Sequence, residues 1–531
     1  MAAVSSETVT ISREEYEEYE LLKLQNERLT QQIEFLTEQI RLARRQRFGS
    51  SSEQSRYDDG SEQLSFLFNE AETYAGSAPA ITAEPDLSQV KAHTRKKRIT
   101  SEEKLPENIE VEVVEKRLSG QELACSECGE QMTEIGKEVV RRLKIVPAKF
   151  VVVETHIYRY ACKSCDQNRT STRVIAARDD KPVIPGSIAT PEAIAYVMTQ
   201  KFMMYSPLYR MEQEFGRAGV PLSRQTMANW LVKATEPWLR PVYHRLHEHL
   251  LTEPVLHADE TTLQVLREPN RKAQSQSYMW LYRTGGYAEH PVVLYDYRET
   301  RKAENPKEFL DGFQGYLHTD GYAAYHKLPA GITVVGCWAH CRRKFDEALQ
   351  AIPEKDRPPS EAMKGKQYCD ALFAVEERIR VLPLREKTIE RQRLSQPILD
   401  EFYSWVMRLR SAQKSLLGKA AHYTREQWPW LVNYLLDGRL EISNNLAERS
   451  IKPFVMGRKN FLFANTPKGA VTSAVIYSLI ETAKENGLDP YRYLTWVLKT
   501  APGLGDGNEA VMEGLLPWNA PVECRAATKA C

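Results

Sequence analysis

Along residues 13–48 the apolar positions return every seven residues. Tyr19, Asn26, Ile33 and Ile40 form one series, and Leu22, Leu29, Leu36 and Ala43 form the other, three positions on. This predicts one long helix. Isoleucine in the first series with leucine in the second favours a parallel two-stranded coiled coil, and one asparagine in the seam fixes its register. The alternative is an amphipathic helix lying on its own domain. Gly49 is a natural stop after the basic end Arg44-Arg45-Gln46-Arg47-Phe48, which suits phosphates or solvent equally. Periodicity then fades, and residues 49–104, rich in Ser, Glu, Ala and Pro, read as a linker closing on Arg95-Lys96-Lys97-Arg98.

Residues 105–175 carry β-type runs, Lys149–Glu154 and His156–Tyr160, between Cys125-Ser126-Glu127-Cys128 and Cys162-Lys163-Ser164-Cys165. Two CxxC knuckles separated by strands suit a tetrahedral four-cysteine zinc site. Cys125, Cys128, Cys162 and Cys165 would hold Zn²⁺ structurally, since four thiolates leave no position for water. Redox or unpaired thiols are the alternative.

From 186 to 250 the pattern turns helical. Ser206 to Phe215 reads as a capped helix with Pro207 in its first turn, and Ser223 opens a second helix. The pair predicts a helix-turn-helix offering Arg224, Gln225 and Asn229 to DNA; an ordinary helical hairpin is the alternative.

Residues 251–350 alternate strands and helices. The strands are Val255–Thr262, Tyr278–Tyr282, Val292–Asp296, Gly315–His318 and Ile332–Cys337, with helices at 304–311 and 338–350. Three strands, helix, strand, helix, strand, helix is the order of a ribonuclease-H-like α/β core, which sets the first and fourth strands side by side. Residues 351–440 form a charged, tryptophan-dotted helical insertion, and the core resumes over 441–500 before a tail at 501–531. Gly457 to Phe463 reads as a basic, aromatic strand or loop, and 470–500 as an amphipathic helical close. The fold class is thus multidomain α+β.

The totals change little. The 531 residues exceed one core, and the net charge of +1 argues neither for nor against DNA. Nine cysteines do not suggest a secreted disulfide scaffold. Neither a membrane span nor a signal-peptide core is visible, so the cytoplasm is expected.

The chemistry concentrates in acidic positions. Asp259 and Asp320 each close an apolar run, and two carboxylates at neighbouring strand mouths are the hard oxygen ligands Mg²⁺ requires. Glu260 rivals Asp259, although strand alternation sends the two side chains to opposite faces. The bland readings are a turn cap for Asp259, a turn dipeptide for Asp320-Gly321, and a capping box for Asn445 with Glu448.

Several motifs in order resemble the DDE-type transposases of the insertion-sequence sixty-six family. They are His257-Ala258-Asp259-Glu260-Thr261, Asp320-Gly321-Tyr322, Cys337-Trp338-Ala339-His340 with Arg342-Arg343-Lys344-Phe345, Asn444-Asn445 with Glu448-Arg449, Gly457-Arg458-Lys459-Asn460, and Leu515-Leu516-Pro517-Trp518-Asn519. Cys341 departs from the alanine usual there. The resemblance spans nearly the whole chain and implies an Asp259–Asp320–Glu448 triad holding two Mg²⁺ or Mn²⁺ ions. It also implies strand cleavage and transfer at terminal inverted repeats, and a bacterial, nucleoid-associated setting. The implied partners are double-stranded DNA at transposon ends and target, a homodimer or higher oligomer, and small accessory proteins of the same element. Arg342, Arg343, Arg449, Lys452, Arg458 and Lys459 are candidate DNA contacts, with a solvated basic face as the alternative. Rival functions are a catalytically inactive zinc-containing DNA-binding regulator and a metal-dependent nuclease without joining activity.

Overall fold

In the computed structural model, residues 12–48, 149–161, 174–176, 181–357, 359–504 and 512–526 are described. The chain divides into two compact units, one of residues 1–80 with 180–526, the other of 81–179 with 527–531. In the second unit Arg159–Ala161 (β1) pairs antiparallel with Val174–Ala176 (β2). The strand expected at Lys149–Glu154 is absent, because these exposed residues have no ladder partner among the described ones. All four knuckle cysteines lie outside the described residues.

Arg13–Phe48 is a single helix, α1. Its seam residues Tyr19, Leu22, Leu29, Ile33 and Leu36 are each more than half exposed.

Three helices precede the sheet: Pro191–Phe202 (α2), Leu208–Arg217 (α3) and Arg224–Ala234 (α4). The Ser223 hydroxyl accepts from Thr226 N and caps α4 as expected. α3 differs, since Pro207 rather than Ser206 stands at its N-cap and no side chain caps it. A π turn leads into Arg240–Thr252 (α5).

The sheet has five strands: Val255–Gln264 (β3), Gln276–Thr284 (β4), Val293–Arg298 (β5), Gly315–His318 (β6) and Ile332–Val335 (β7). The order is β5-β4-β3-β6-β7, with β4 antiparallel to both β3 and β5, and β6 and β7 parallel to β3. Glu304–Phe309 (α6) bridges β5 and β6, and Trp338–Gln350 (α7) follows β7. The parallel register sets Leu256 against Leu317 and His257 against His318.

After α7 come Glu361–Ile379 (α8), Leu384–Arg408 (α9) and Leu416–Leu431 (α10). They share a core with α7 built on Trp338, Phe345, Phe402 and Trp405. The insertion therefore packs directly on the helix that leaves the sheet. Asn445–Phe461 (α11) returns to β3. It runs straight through Gly457 to Phe461, so the expected strand or loop there is helix.

The helical close is two helices, Pro467–Glu485 (α12) and Pro490–Leu504 (α13). From Ala474 to Ala483 α12 is buried on every side, so it is not amphipathic. Its polar residues cover the edge strand β5. Ser478 Oγ accepts from Tyr295 N at 2.8 Å, and Thr482 Oγ1 accepts from Val293 N at 3.0 Å. These bonds satisfy edge groups that would otherwise be buried unpaired. No described helix is long and apolar enough to cross a membrane.

Candidate active site

Asp259 lies two residues past the last paired residue of β3 on the β6 side, and Asp320 two residues past His318. Carrying the register on by two brings the carboxylates together just beyond the β3–β6 ladder, so Asp259 stands midway along β3 rather than at its mouth, because β3 continues against β4 to Gln264. Asp259 is 9% exposed, and its Oδ1 accepts from Glu260 N at 2.8 Å. Asp320 Oδ1 accepts from Tyr322 N at 2.9 Å across a turn. Gly321 in that turn has φ +94°, and a Cβ there would stand 2.8 Å from Gln427 Oε1. Glycine both turns the chain and admits α10. That helix fastens the turn: Tyr423 Oη donates to Asp320 O at 2.9 Å and Gln427 Nε2 to Gly321 O at 3.3 Å.

The Asp259 carboxyl is pushed well above the usual carboxylate range, first by burial and then by Asp320, Glu260 and Glu448. Burial likewise raises Asp320. Two desolvated acids that repel one another are the electrostatic setting that a divalent cation relieves. Their oxygen-only donor set fits Mg²⁺ or Mn²⁺.

Glu260 belongs to another contact set. Its carboxylate accepts from Arg301 Nε at 2.8 Å and from Tyr325 Oη at 2.6 Å. Burial and Asp320 push it up to about 7, against the pull of Arg301 and Tyr325. Arg301 in turn lies over the Tyr322 ring, 3.7 Å from its centroid. Neither Arg301 nor Tyr325 was legible as a site residue, because nothing near Asp320 in sequence marks them.

Glu448 arrives on the first turn of α11. The capping-box alternative is not what forms: Asn444 is the N-cap, and no side chain caps the helix. Glu448 Oε1 lies 3.6 Å from His340 Nδ1, and Oε2 accepts from Arg343 Nη2 at 3.4 Å. Among the described residues the three-donor group whose ligand atoms fall within 4.8 Å of one another is Cys337, His340 and Glu448. Asp259 and Asp320 are thus paired, while Glu448 is turned toward α7.

Asn444 is fully buried and knits these elements together. Its Nδ2 donates to Ala258 O at 2.8 Å, which leaves Oδ1, 2.9 Å from His257 Nδ1, as acceptor. His257 therefore carries its proton on Nδ1. Asn444 N also donates to Cys337 Sγ at 3.2 Å. One amide thereby links β3, α7 and the start of α11.

The basic candidates separate by environment. Arg342 is 4% exposed and its Nε donates to Asp370, 2.5 Å away on α8. This corrects its reading as a DNA contact: it is a buried structural cation. Arg458 is half-buried and donates to the Thr262 side chain and carbonyl, tying α11 to β3. Arg449, Lys452 and Lys459 are exposed on α11. On α4, Arg224, Gln225 and Asn229 are exposed, and Gln225 Nε2 donates to Asn229 Oδ1 at 3.2 Å.

Comparison with known proteins agrees with this organisation. The family model described as Transposase IS66 family matches residues 186–472, more than half of the chain. The zinc-finger binding domain of transposase IS66 matches 122–166, the IS66 C-terminal element 478–518, and the Transposase C of IS166 homeodomain 35–114. Among curated proteins of Sinorhizobium fredii (strain NBRC 101917 / NGR234), the chain is 30% identical to the uncharacterized protein y4qI, over 94% of this chain and 91% of that one. It is 32% identical to the uncharacterized protein y4jD, over 75% of this chain and 78% of that one.

Proposed function

The chain belongs to the IS66 transposase family, and from that premise we propose that it cleaves and joins DNA strands at the terminal inverted repeats of its element. The sheet order, with β3 beside β6, supports reading residues 251–350 and 441–500 as a ribonuclease-H-like core. The single observation that carries the catalytic reading is that Asp259 and Asp320 each stand two residues past the paired His257 and His318, with both carboxyls raised by desolvation.

Two divalent ions held there would supply positive charge to the attacking and leaving oxygens of an in-line displacement. Asp259, Asp320 and Glu448 are the carboxylates that would hold them. In the first step a water oxygen bonds to the scissile phosphorus, and the bond to the 3′-oxygen breaks, freeing a 3′-hydroxyl. In the second that hydroxyl oxygen attacks a target phosphodiester and displaces its 3′-oxygen. Arg343 steadies Glu448, and Asn444 sets where α11 begins. Arg449, Lys452 and Lys459 are assigned to phosphates, while Arg458 orients their helix. Arg224, Gln225 and Asn229 on α4 are assigned to base edges of the terminal repeat.

The exposed seam of α1 supports a two-stranded coiled coil that joins protomers, so that two DNA ends are held together. Structural Zn²⁺ at Cys125, Cys128, Cys162 and Cys165, and help from small accessory proteins of the same element, complete the reading.

The test is cleavage and joining of labelled transposon-end DNA with Mg²⁺, comparing wild type with Asp259→Ala, Asp320→Ala and Glu448→Ala. Activity lost in all three with end binding retained supports the triad. An active Glu448→Ala removes Glu448 from it, and a wild type that binds ends but never cuts them favours the inactive DNA-binding regulator.

A further inference from the structure

We propose that Cys337, His340 and Glu448 form a transition-metal site of their own, selective for a thiophilic ion of the Zn²⁺ class and distinct from the oxygen-only Asp259–Asp320 pair. Cys337 is the N-cap residue of α7, and His340 sits three positions on, in the first turn. A Cys-x-x-His spacing across a helix start brings both donors to one side. Glu448 comes to them from the first turn of α11. The three ligand atoms already lie within 4.8 Å of one another. Tetrahedral zinc with bonds of about 2.0–2.3 Å sets donors about 3.3–3.8 Å apart, so side-chain adjustment of an ångström closes the site.

Two independent features point into this space. His340 Nδ1 and Glu448 Oε1 are both buried without a hydrogen-bond partner, and they face each other at 3.6 Å, too far to bond directly. Orphaned buried donors and acceptors are rare and ask for an absent group. Cys337 is fully buried and accepts the backbone N–H of Asn444, which fixes the sulfur from its outer side; burial and Glu448 push its thiol up to about 12, so the ion must displace the proton on binding. Arg343 engages Glu448 Oε2 and leaves Oε1 to the ion. A thiolate, a carboxylate and a neutral imidazole together cancel the charge of a divalent ion in this buried setting. The mixed sulfur, nitrogen and oxygen set selects against Mg²⁺, which takes oxygen alone. The fourth position stays open to water.

The site stands on this geometry alone. Its consequence for the reaction, that the ion draws Glu448 away from the Asp259–Asp320 pair, rests on the transposase reading.

The experiment uses the full chain, equilibrated with Zn²⁺ in Mg²⁺-free buffer, dialysed, and counted for bound metal. Wild type is expected to hold one ion per chain more than Cys337→Ser and than His340→Ala, each confirmed folded by circular dichroism. The knuckle cysteines are unchanged in all three and hold their own metal in each. With Co²⁺ in place of Zn²⁺, the wild-type minus Cys337→Ser spectrum should show a thiolate-to-cobalt charge-transfer band. Equal metal counts in the three proteins overturn the proposal. So does a loss confined to Cys337→Ser, and so does a flat difference spectrum. Should Cys337→Ser not fold, the His340→Ala count decides by itself. None of these readouts needs transposition, so failure here and failure of the catalytic reading are separable.

Discussion

The rings of His257 and His318 lie stacked, 4.3 Å between centroids and 10° between planes, each two residues before one carboxylate of the acidic pair. Both are fully buried. The stack fills the space between β3 and β6 immediately behind the site and fixes their register. Truncating His318 to Ala should cost about 3 kcal/mol, as for other buried aromatic rings. Strand joining should fall further than DNA binding. Denaturant titration and end-binding assays check the two parts.

The same rings give acid sensitivity. Burial lowers His257 to about 3 and His318 well below the usual histidine value. A depressed histidine takes up protons in the unfolded chain first. Stability is therefore full above about pH 6.5 and falls as pH drops toward about 3, by at most about 1.4 kcal/mol per pH unit for each ring. The fall between about pH 7.5 and about pH 5.5 should be smaller in His318→Phe, read from denaturation midpoints.

The acidic pair works in the opposite sense. The folded-state values of Asp259, Asp320 and Glu260 are raised. Their contribution is full below the ordinary carboxylate value and is lost as pH rises through the folded one, which for Glu260 is about 7. Metal-free protein at neutral pH should thus be stabilised by Asp259→Asn, which removes one charge from the repelling set. Saturating Mg²⁺ should stabilise wild type by about 2–3 kcal/mol at a hundredfold excess over Kd, and Asp259→Asn much less. Thermal melts with and without Mg²⁺ measure both. An Asp259→Asn protein less stable than wild type without metal would refute the repulsion.

Arginines 342 and 343 are neighbours in sequence but differ in environment. Arg342→Ala should lower stability by about 2 kcal/mol by removing a buried charge-assisted bond and leaving Asp370 to Lys366 alone, without altering the salt dependence of DNA binding. Lys452→Ala or Lys459→Ala should leave stability within about 0.5 kcal/mol and reduce the salt slope by about one unit each. Binding isotherms over a range of salt concentrations separate the two classes.

On α1, replacing the exposed Leu29 and Leu36 together by Glu should abolish the proposed coiled-coil pairing, since charge in the seam opposes it. Sedimentation analysis should then find a monomer. An unchanged mass would make α1 a helix of some other purpose.

The five strands between 255 and 337 and the adjacency of the first and fourth were readable because buried strands are short apolar runs bounded by turn residues; Asp320 follows one of them, but Asp259 lies inside β3, which runs on to Gln264. Side-chain partners that come from far along the chain were not. Glu448 meets His340 and Arg343 across the whole insertion, and Glu260 meets Arg301 through the fold rather than through any local spacing. Gly457 misled for a physical reason. It resembles a breaker, yet it sits mid-helix because any larger side chain would strike the Tyr477 hydroxyl. The basic run at Arg342 misled likewise. A helix turns about 100° per residue, so consecutive cations cannot share one face, and the acid that claims Arg342 belongs to the insertion.

The long excursion between β7 and α11 also sets a timetable. At about 5–20 residues per second, a ribosome needs roughly 6–25 s to travel from Asp320 to Glu448. During that interval the nascent chain has the first two carboxylates but neither the third nor the helix α12 that seals β5. On the proposed triad, a chain still being made can present α4 to DNA but cannot cut it until Glu448 has emerged, and products terminated before Glu448 would bind without cutting.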